Sequence, residues 1–134
     1  MTYLLDSNVW VALLRGKKSL VAARFRAAPP ADLRVCSVVV AELRYGCALS
    51  AKPAANRAAV DALLAPYPSL PFDDAAVDHF VAIRRHLEQL GQVISAYDLQ
   101  IAAIALANGC TLVTHNTGEF GRVPGLPLED WEVP

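Results

Sequence analysis

The 134-residue chain lacks the features that would place it in several large classes of protein. It contains no HExxH motif or Cys/His cluster for zinc and no glycine-rich phosphate loop after a strand. Only three cysteines occur, and none of them forms a CxxC pair. A zinc enzyme, a kinase, a dinucleotide-binding enzyme and a disulfide scaffold are therefore disfavoured. The cysteines are predicted to be buried free thiols in a reducing cytosol. They are Cys36, Cys47 and Cys110.

The chain also lacks a charge excess and a long apolar run. The net charge is −1 and the pI about 6.3, which argues against a general polyanion binder. No apolar run approaches the roughly 18 residues that span a membrane, and the N-terminus does not resemble a signal peptide. We therefore expect a cytoplasmic protein without membrane contact. The mean hydropathy of +0.33 indicates a well-packed core or a face that meets a partner.

Strand and helix patterns alternate along the chain. Because the strands are continuous apolar runs, they favour a mostly parallel sheet covered by helices on both faces, as a single α/β domain over residues 1–134. Strands are expected at 2–6, 33–37, 69–72, 110–114 and 126–131. Helices are expected at 8–16, 19–28, 38–50, 54–65, 74–90 and 95–109.

Three acids lie in unusual positions for solvated charges. Asp6 ends a buried strand, where it could also cap the next helix. Glu42 lies on an apolar helix face, where the alternative role is a salt bridge to an arginine. Asp98 follows Ser95 in a weak capping box, so it could be an ordinary first-turn acid.

Taken together, these acids predict a metal site. Each lies early in a helix that follows a strand or a short connection, and in a doubly wound sheet such helix starts converge on one edge. Carboxylates gathered there would raise one another's pKa, and a divalent cation would remove that cost. All-oxygen ligands select Mg²⁺ or Mn²⁺, and the expected chemistry is phosphodiester hydrolysis by metal-activated water.

The chain resembles the PIN-domain family, and within it the VapC-type ribonuclease toxins of toxin–antitoxin pairs. The resemblance rests on "LLDSNV", "SVVVAELRYG", "SAYDLQIAAIALANG", "LVTHNTGEF" and "LPLEDW", in that order over nearly the whole chain. It implies a three-layer α/β/α sandwich, a metal-dependent endoribonuclease, an antitoxin whose tail occupies the active groove, and a homodimer. By match of motif, the first three acids of the family's active site correspond to Asp6, Glu42 and Asp98. Polar residues that orient these acids would be Ser7, Asn8, Ser37 and Thr114.

The departure from the family pattern is Asn116, which stands where family members with a full quartet have their fourth acid, although many relatives look similar at this point. An amide can offer an oxygen or orient a water, so we expect one firm metal site and a weaker second one. Glu119, one helical turn away, could restore the charge. The structural alternative is an N-cap at Asn116 with Glu119 as its capping-box partner. His115 is not expected to be the general base, because a metal ion can lower the pKa of water without one.

RNA contacts and rival functions complete the prediction. A haloacid-dehalogenase-type phosphatase also begins with a strand-end Asp, but it needs a second Asp at the position of Asn8. A catalytically silent PIN-fold module that only binds RNA or protein stays open as the alternative.

The low pI suggests a folded RNA substrate. The basic residues expected to contact RNA are Arg15, Lys17, Lys18 and Arg44.

Overall fold

The computed structural model describes all residues from Met1 to Pro134. Its centre is one sheet of five parallel strands in the order β3-β2-β1-β4-β5. The strands are β1 (Tyr3–Leu5), β2 (Leu33–Cys36), β3 (Ser69–Leu70), β4 (Thr111–Val113) and β5 (Leu128–Glu129).

Seven helices flank the sheet, so the predicted PIN-like α/β/α architecture is confirmed. They are α1 (Ser7–Leu14), α2 (Leu20–Ala27), α3 (Ser37–Leu49), α4 (Pro53–Leu64), α5 (Asp74–Gln89), α6 (Ala96–Ala107) and α7 (Thr117–Phe120). The four-residue α7 and a 3₁₀ turn at Pro30–Asp32 have no counterpart in the elements expected from periodicity. Both are too short to show a period of apolar residues. No helix is long and apolar enough to cross a membrane.

Local signals account for the helix boundaries. The Ser19 hydroxyl accepts from Ala22 N at 3.1 Å to begin α2, and Asp73 caps α5 by accepting from Ala76 N at 3.0 Å. Proline at the first position begins α4. Gly91 follows α5 with φ +65°, a left-handed conformation that side chains disfavour.

The core lies between the sheet and the helices. The strand residues Leu4, Leu5, Leu112 and Val113 are fully buried, which explains why these strands read as continuous apolar runs. In α6, Leu99 and every residue from Ile101 to Ala105 are buried, so the helix is enclosed nearly all round. The three cysteines are buried and free, as predicted.

The strand order brings distant segments to one edge. Because β1 lies between β2 and β4, the first residues after all three strands meet at the same end of the sheet. The pairing of Leu5 with Val113 sets the residues that follow, Asp6 and Thr114, side by side. This register builds the centre of the candidate site.

Candidate functional site

Asp6 occupies the middle of the site, directly after β1. It is 8% exposed, and its carboxylate accepts two hydrogen bonds, from Ser7 N at 2.8 Å and from the Thr114 hydroxyl at 2.9 Å. The first bond caps the N-terminus of α1. Asp6 therefore has both of the roles considered for it, as a helix cap and as a buried acid at the end of a strand. No cation contacts it. Burial raises the pKa of Asp6, and the bonds from Ser7 and Thr114 oppose that rise.

Glu42 is a half-buried acid on α3 without a cation partner. The salt bridge considered as its alternative role is absent, and that interpretation is wrong. Its Oε1 is buried and has no hydrogen-bond partner at bonding distance, although the neighbouring Ser7 hydroxyl is near enough to lower the pKa of Glu42. Burial first, and then the negative charge of Asp6, raise the pKa of Glu42. A buried carboxylate oxygen without a donor is a place where a cation would lower the free energy.

Asp98 lies in the first turn of α6. Its backbone N–H donates to the Ser95 hydroxyl at 3.2 Å, which confirms the cap predicted at this position. Its carboxylate has no partner of opposite charge. Burial, the charge of Asp6 and the adjacent carboxylate of Glu119 raise the pKa of Asp98 to about 6.

Glu119 is the fourth carboxylate, and Asn116 holds it in place. The Asn116 side chain donates from Nδ2 to Glu119 Oε2 at 3.3 Å, and its backbone N–H donates to the Thr114 hydroxyl at 3.0 Å. Asn116 makes no side-chain cap bond to α7, so the capping-box interpretation is wrong. The Thr114 hydroxyl takes the backbone N–H that the capping partner would need.

We call Asp6, Glu42, Asp98 and Glu119 the acid cluster. Its carboxylates come from four separate segments, and none is paired with Lys or Arg. No three of these carboxylates have ligand atoms that all lie within 4.8 Å of one another. The cluster is therefore too open for three of its acids to bind one ion directly without moving. An ion among them would keep several waters, as Mg²⁺ commonly does. The donor set and the orphaned Glu42 oxygen therefore fit a hydrated divalent cation.

The other predicted site residues are distributed more widely. Ser37 is exposed and lines a separate cavity between α3 and α4, and it makes no hydrogen bond to any acid. Asn8 is exposed and lines a small cavity with Thr114 and His115. Neither of these two expected orienting residues makes a side-chain hydrogen bond to an acid of the cluster, and both are exposed. Thr114 does orient an acid, as expected.

The predicted RNA-binding residues lie on two surfaces. Arg15 lines a cavity of about 450 Å³ that Ser7 and Glu42 also line, and Lys17 and Lys18 are exposed beyond the end of α1. Arg44 instead approaches Asp61 of α4, at 3.5 Å. Arg15 is thus next to the acid cluster, whereas Arg44 belongs to a surface ion pair.

Two features of the site were missed at the sequence level. Cys36 lies against Asp6 and Glu42, and burial, followed by smaller effects of these charges, raises the pKa of its thiol to about 11, so it stays neutral. The cavity beside Glu42 is lined largely by apolar side chains of α1, α3 and α4. Among the residues that line it, only Ser7, Arg15 and Glu42 were predicted from the sequence to be functional, because the pattern of the apolar walls is that of ordinary core residues.

A parallel α/β sandwich with an acid cluster at the carboxyl edge of its sheet is an arrangement suited to metal-assisted hydrolysis. The PIN domain matches residues 3–126, and the chain belongs to this family. The family predicted from the sequence motifs is confirmed.

Relatives match over nearly the full length of the chain. A tRNA(fMet)-specific endonuclease VapC from Shigella flexneri is 34% identical over 131 residues, covering 98% of both chains. Ribonuclease VapC2 from Rickettsia felis is 35% identical and covers 98% of this chain and 99% of its own. Among solved structures, DNA-bound VapBC from Salmonella typhimurium superposes with a TM-score of 0.91 at 31% identity, covering 98% of each chain.

Proposed function

We propose that the protein is a divalent-metal-dependent endoribonuclease and the toxin of a toxin–antitoxin pair. The observation that carries the proposal is the acid cluster: four carboxylates, three of them with raised pKa, meet without a cation at the carboxyl edge of the sheet. Full-length relatives named ribonucleases and the similarity to VapBC structures support the same function. We also propose a cytoplasmic location, because that is where an RNA substrate would be met.

Asp6, Glu42, Asp98 and Glu119 would hold the metal ion. All their donors are oxygens, which favours Mg²⁺ or Mn²⁺ over softer ions. The bound ion would supply an activated water and neutralise charge at the scissile phosphate. Because Glu119 provides the fourth carboxylate, Asn116 is a positioning residue in this proposal and not a ligand.

The chain's own groups keep the acids in place for this role. Ser7 N and the Thr114 hydroxyl fix both oxygens of Asp6, and the Thr114 hydroxyl in turn accepts from Asn116 N. The Asn116 amide then holds Glu119. One hydrogen-bonded chain therefore connects two carboxylates from opposite ends of the sequence, which limits the reorganisation needed when an ion binds.

The substrate we propose is a folded RNA, with initiator tRNA as the first candidate. The relative from Shigella flexneri carries this specificity in its name, at 34% identity over 98% of the chain. Arg15 at the cavity, followed by the exposed Lys17 and Lys18, offers phosphate contacts beside the cluster. With a net charge of −1, these local contacts matter more than overall charge.

The partner we propose is an antitoxin encoded beside this chain. The cavity of about 450 Å³ next to Glu42 has Val11, Leu14, Leu43 and Val60 in its walls, and it suits an apolar segment of a partner. A basic residue of that segment could pair with the acid cluster in place of metal. We also propose a homodimer, since exposed apolar side chains on α3 such as Tyr45 and Leu49 remain uncovered.

Cleavage assays in Mg²⁺, Mn²⁺ and EDTA test the enzyme. The substrates are initiator tRNA, an elongator tRNA of similar size and an unstructured RNA. Asp98→Asn removes one acid of the cluster, and Glu88→Gln is the matched control because Glu88 is an exposed acid paired with Arg84. We expect metal-dependent cleavage by the wild type and by Glu88→Gln, and none by Asp98→Asn. No cleavage of any RNA, together with no Mn²⁺ binding by calorimetry, would favour the catalytically silent module.

Co-expression with the neighbouring small protein tests the partner. We expect a stable complex whose cleavage activity is suppressed and then restored when the partner is digested. Glu42→Gln should weaken association with the partner if a basic residue pairs with the cluster. No association at micromolar concentration would contradict the antitoxin, and light scattering of the free chain would decide between monomer and dimer.

A further inference from the structure

His115, Asp130 and Glu132 form a compact group of potential metal ligands away from the acid cluster. Nδ1 of His115 lies 2.9 Å from Asp130 Oδ2 and 3.0 Å from Glu132 Oε2. The three ligand atoms all lie within 4.8 Å of one another, and no other group in the chain does so. The proposed nuclease makes no use of these side chains.

The two acidic members of this group are fixed by a backbone hydrogen bond and by the buried Trp131 between them. The Asp130 side chain is only 13% exposed, and its Oδ1 accepts from Glu132 N at 2.9 Å, which leaves Oδ2 aimed at the histidine. Between them Trp131 is buried and donates to Glu129 at 3.1 Å, so the C-terminal segment is anchored to the core. Two of the three ligands therefore depend on a fixed backbone and need little ordering on binding.

Beside this group is a small enclosed cavity. Its volume is about 10 Å³, and His115, Asp130 and Glu132 line it together with the side chains of Asn8 and Thr114. A cavity of about 10–15 Å³ holds one water-sized sphere. The space is thus at the lower limit for a single ion or water, and five of its eight lining residues are polar.

The hydrogen on Nδ1 occupies the place that an ion would take. Carboxylates only accept hydrogen bonds, so the two short contacts require a hydrogen on Nδ1 of His115. Ligands about 2.0–2.1 Å from a tetrahedral zinc ion are about 3.3 Å apart. The observed separations of 2.9 and 3.0 Å need to widen by only a few tenths of an ångström. Glu132, with a side chain 45% exposed, is free to make that adjustment.

We propose that His115, Asp130 and Glu132 are a second metal site, for a transition ion such as Zn²⁺, with water as the fourth ligand. On binding, the Nδ1 hydrogen passes to solvent or the ring takes the Nε2–H tautomer. The imidazole makes this site selective for zinc, whereas the acid cluster offers only oxygen ligands and therefore favours Mg²⁺ or Mn²⁺. Arg24 does not compete for the ligands, because it donates to the backbone carbonyl of Asp130, at 2.7 Å.

The role of this site is to tie the C-terminal segment to the loop between β4 and α7. His115 lies between Thr114, which bonds Asp6, and Asn116, which bonds Glu119. An ion at His115 would therefore stiffen the loop that orients two acids of the cluster. It would be a structural ion and not part of the hydrolytic step.

Zinc titration calorimetry in excess Mg²⁺ tests the proposal, because Mg²⁺ would compete for the oxygen ligands of the acid cluster. We expect one Zn²⁺ per chain. Loss of a residue that only supports a ligand typically weakens metal binding about 10–100-fold, so His115→Asn should weaken it at least about 100-fold. Glu132→Gln should also weaken binding. His86→Asn, which removes an exposed histidine of α5, is the matched control and should bind as the wild type does.

Zinc should also raise the thermal unfolding midpoint of the wild type and of His86→Asn but not of His115→Asn. Three results would overturn the site: no zinc binding by the wild type, equal affinity in His115→Asn, or equal losses in His115→Asn and His86→Asn. His115 has a side chain 59% exposed, so its substitution leaves the core intact. None of these measurements uses RNA cleavage, so the second site and the proposed nuclease fail independently.

Discussion

The acids of this protein divide into two groups with opposite surroundings. On the outer helices, Asp61 contacts Arg57 at 3.0 Å and Glu88 contacts Arg84 at 2.8 Å, each one helical turn away. In the acid cluster at the sheet edge, the same side-chain types have no cation at all, and the pKa of Asp98 rises to about 6. The difference is not residue type but whether the fold supplies a countercharge.

This contrast indicates which carboxylates serve an external ligand. A paired surface acid contributes little to stability, because water already screens its charge. A half-buried acid beside like charges costs free energy until a proton or a metal ion arrives. The fold tolerates that cost at one edge only, which is where the proposed function places the divalent ion.

The largest effect should come from removing an acid of the cluster. Asp98→Asn should lower cleavage at least about 100-fold, because a direct ligand should matter at least as much as the groups that support ligands. Single-turnover cleavage of the best RNA substrate measures this effect. Glu88→Gln should cleave within about twofold of the wild type, since the exposed pair it breaks is worth at most about 1 kcal/mol. Similar losses in the two variants would remove the distinction between the two groups.

Thr114→Val should destabilise the protein by about 1–3 kcal/mol, because it leaves a buried oxygen of Asp6 without its donor. Thr114 is 1% exposed, and valine has nearly the same shape. Urea unfolding at neutral pH measures the change. Loss of this donor should also raise the pKa of Asp6 further, so the variant should need more Mg²⁺ for half-maximal cleavage. An unchanged stability would show that the hydroxyl does not hold Asp6.

Glu119→Gln and Asn116→Ala separate the ligand from the residue that positions it. If Glu119 is the fourth carboxylate, Glu119→Gln should reduce cleavage about 10–100-fold, whereas the loss in Asn116→Ala should be smaller. Cleavage over a range of Mn²⁺ concentrations should restore Asn116→Ala more readily than Glu119→Gln. The reverse ranking would make the amide of Asn116 the more important group.

The metal-free protein should lose stability as pH rises from about 4 to 7. The folded state binds the Asp98 proton more tightly, so this contribution is complete below the ordinary pKa of 3.8 and disappears as pH passes about 6. After allowance for the partial exposure of Asp98, the change should be about 1 kcal/mol. Asp98→Asn should flatten this part of the profile, and Mg²⁺ should offset it in the wild type. Stability that increases over this range would contradict the pKa shift.

The smallest effect should come from the surface pair. Arg84→Gln should change the free energy of unfolding by less than about 0.5 kcal/mol, because its partner Glu88 is solvated with or without it. Denaturant midpoints in low and high salt measure this change. A loss near 2 kcal/mol would mean that paired surface acids are not energetically minor in this fold.

Most of the fold could be predicted from local signals. The apolar runs at Tyr3–Leu5 and Thr111–Val113 and the caps at Asp73 and Ser95 mark elements that the structure contains. The short α7 could not be found in this way. Its four residues are too few to show a period of apolar residues.

The candidate site was only partly predictable for the same reason. Asp6, Glu42 and Asp98 each carry a local sign, since an acid follows a strand or faces an apolar stripe. Whether Glu42 meets an arginine, and whether Asn116 caps α7 or holds Glu119, depends on side chains from other segments. The group of His115, Asp130 and Glu132 gave no sign, because α7 and β5 lie between His115 and the other two residues.

The sequence by itself determined the order of strands and helices, the family and the presence of three acids in unusual positions, because periodicity, caps and motifs act over a few residues. Only the tertiary structure decided which carboxylates stay without a cation and which side chain completes the cluster. The parallel register of β1 with β4 sets Asp6 beside Thr114 across 108 residues of chain. Contacts at that separation follow from packing of the whole core, which no short stretch of sequence encodes.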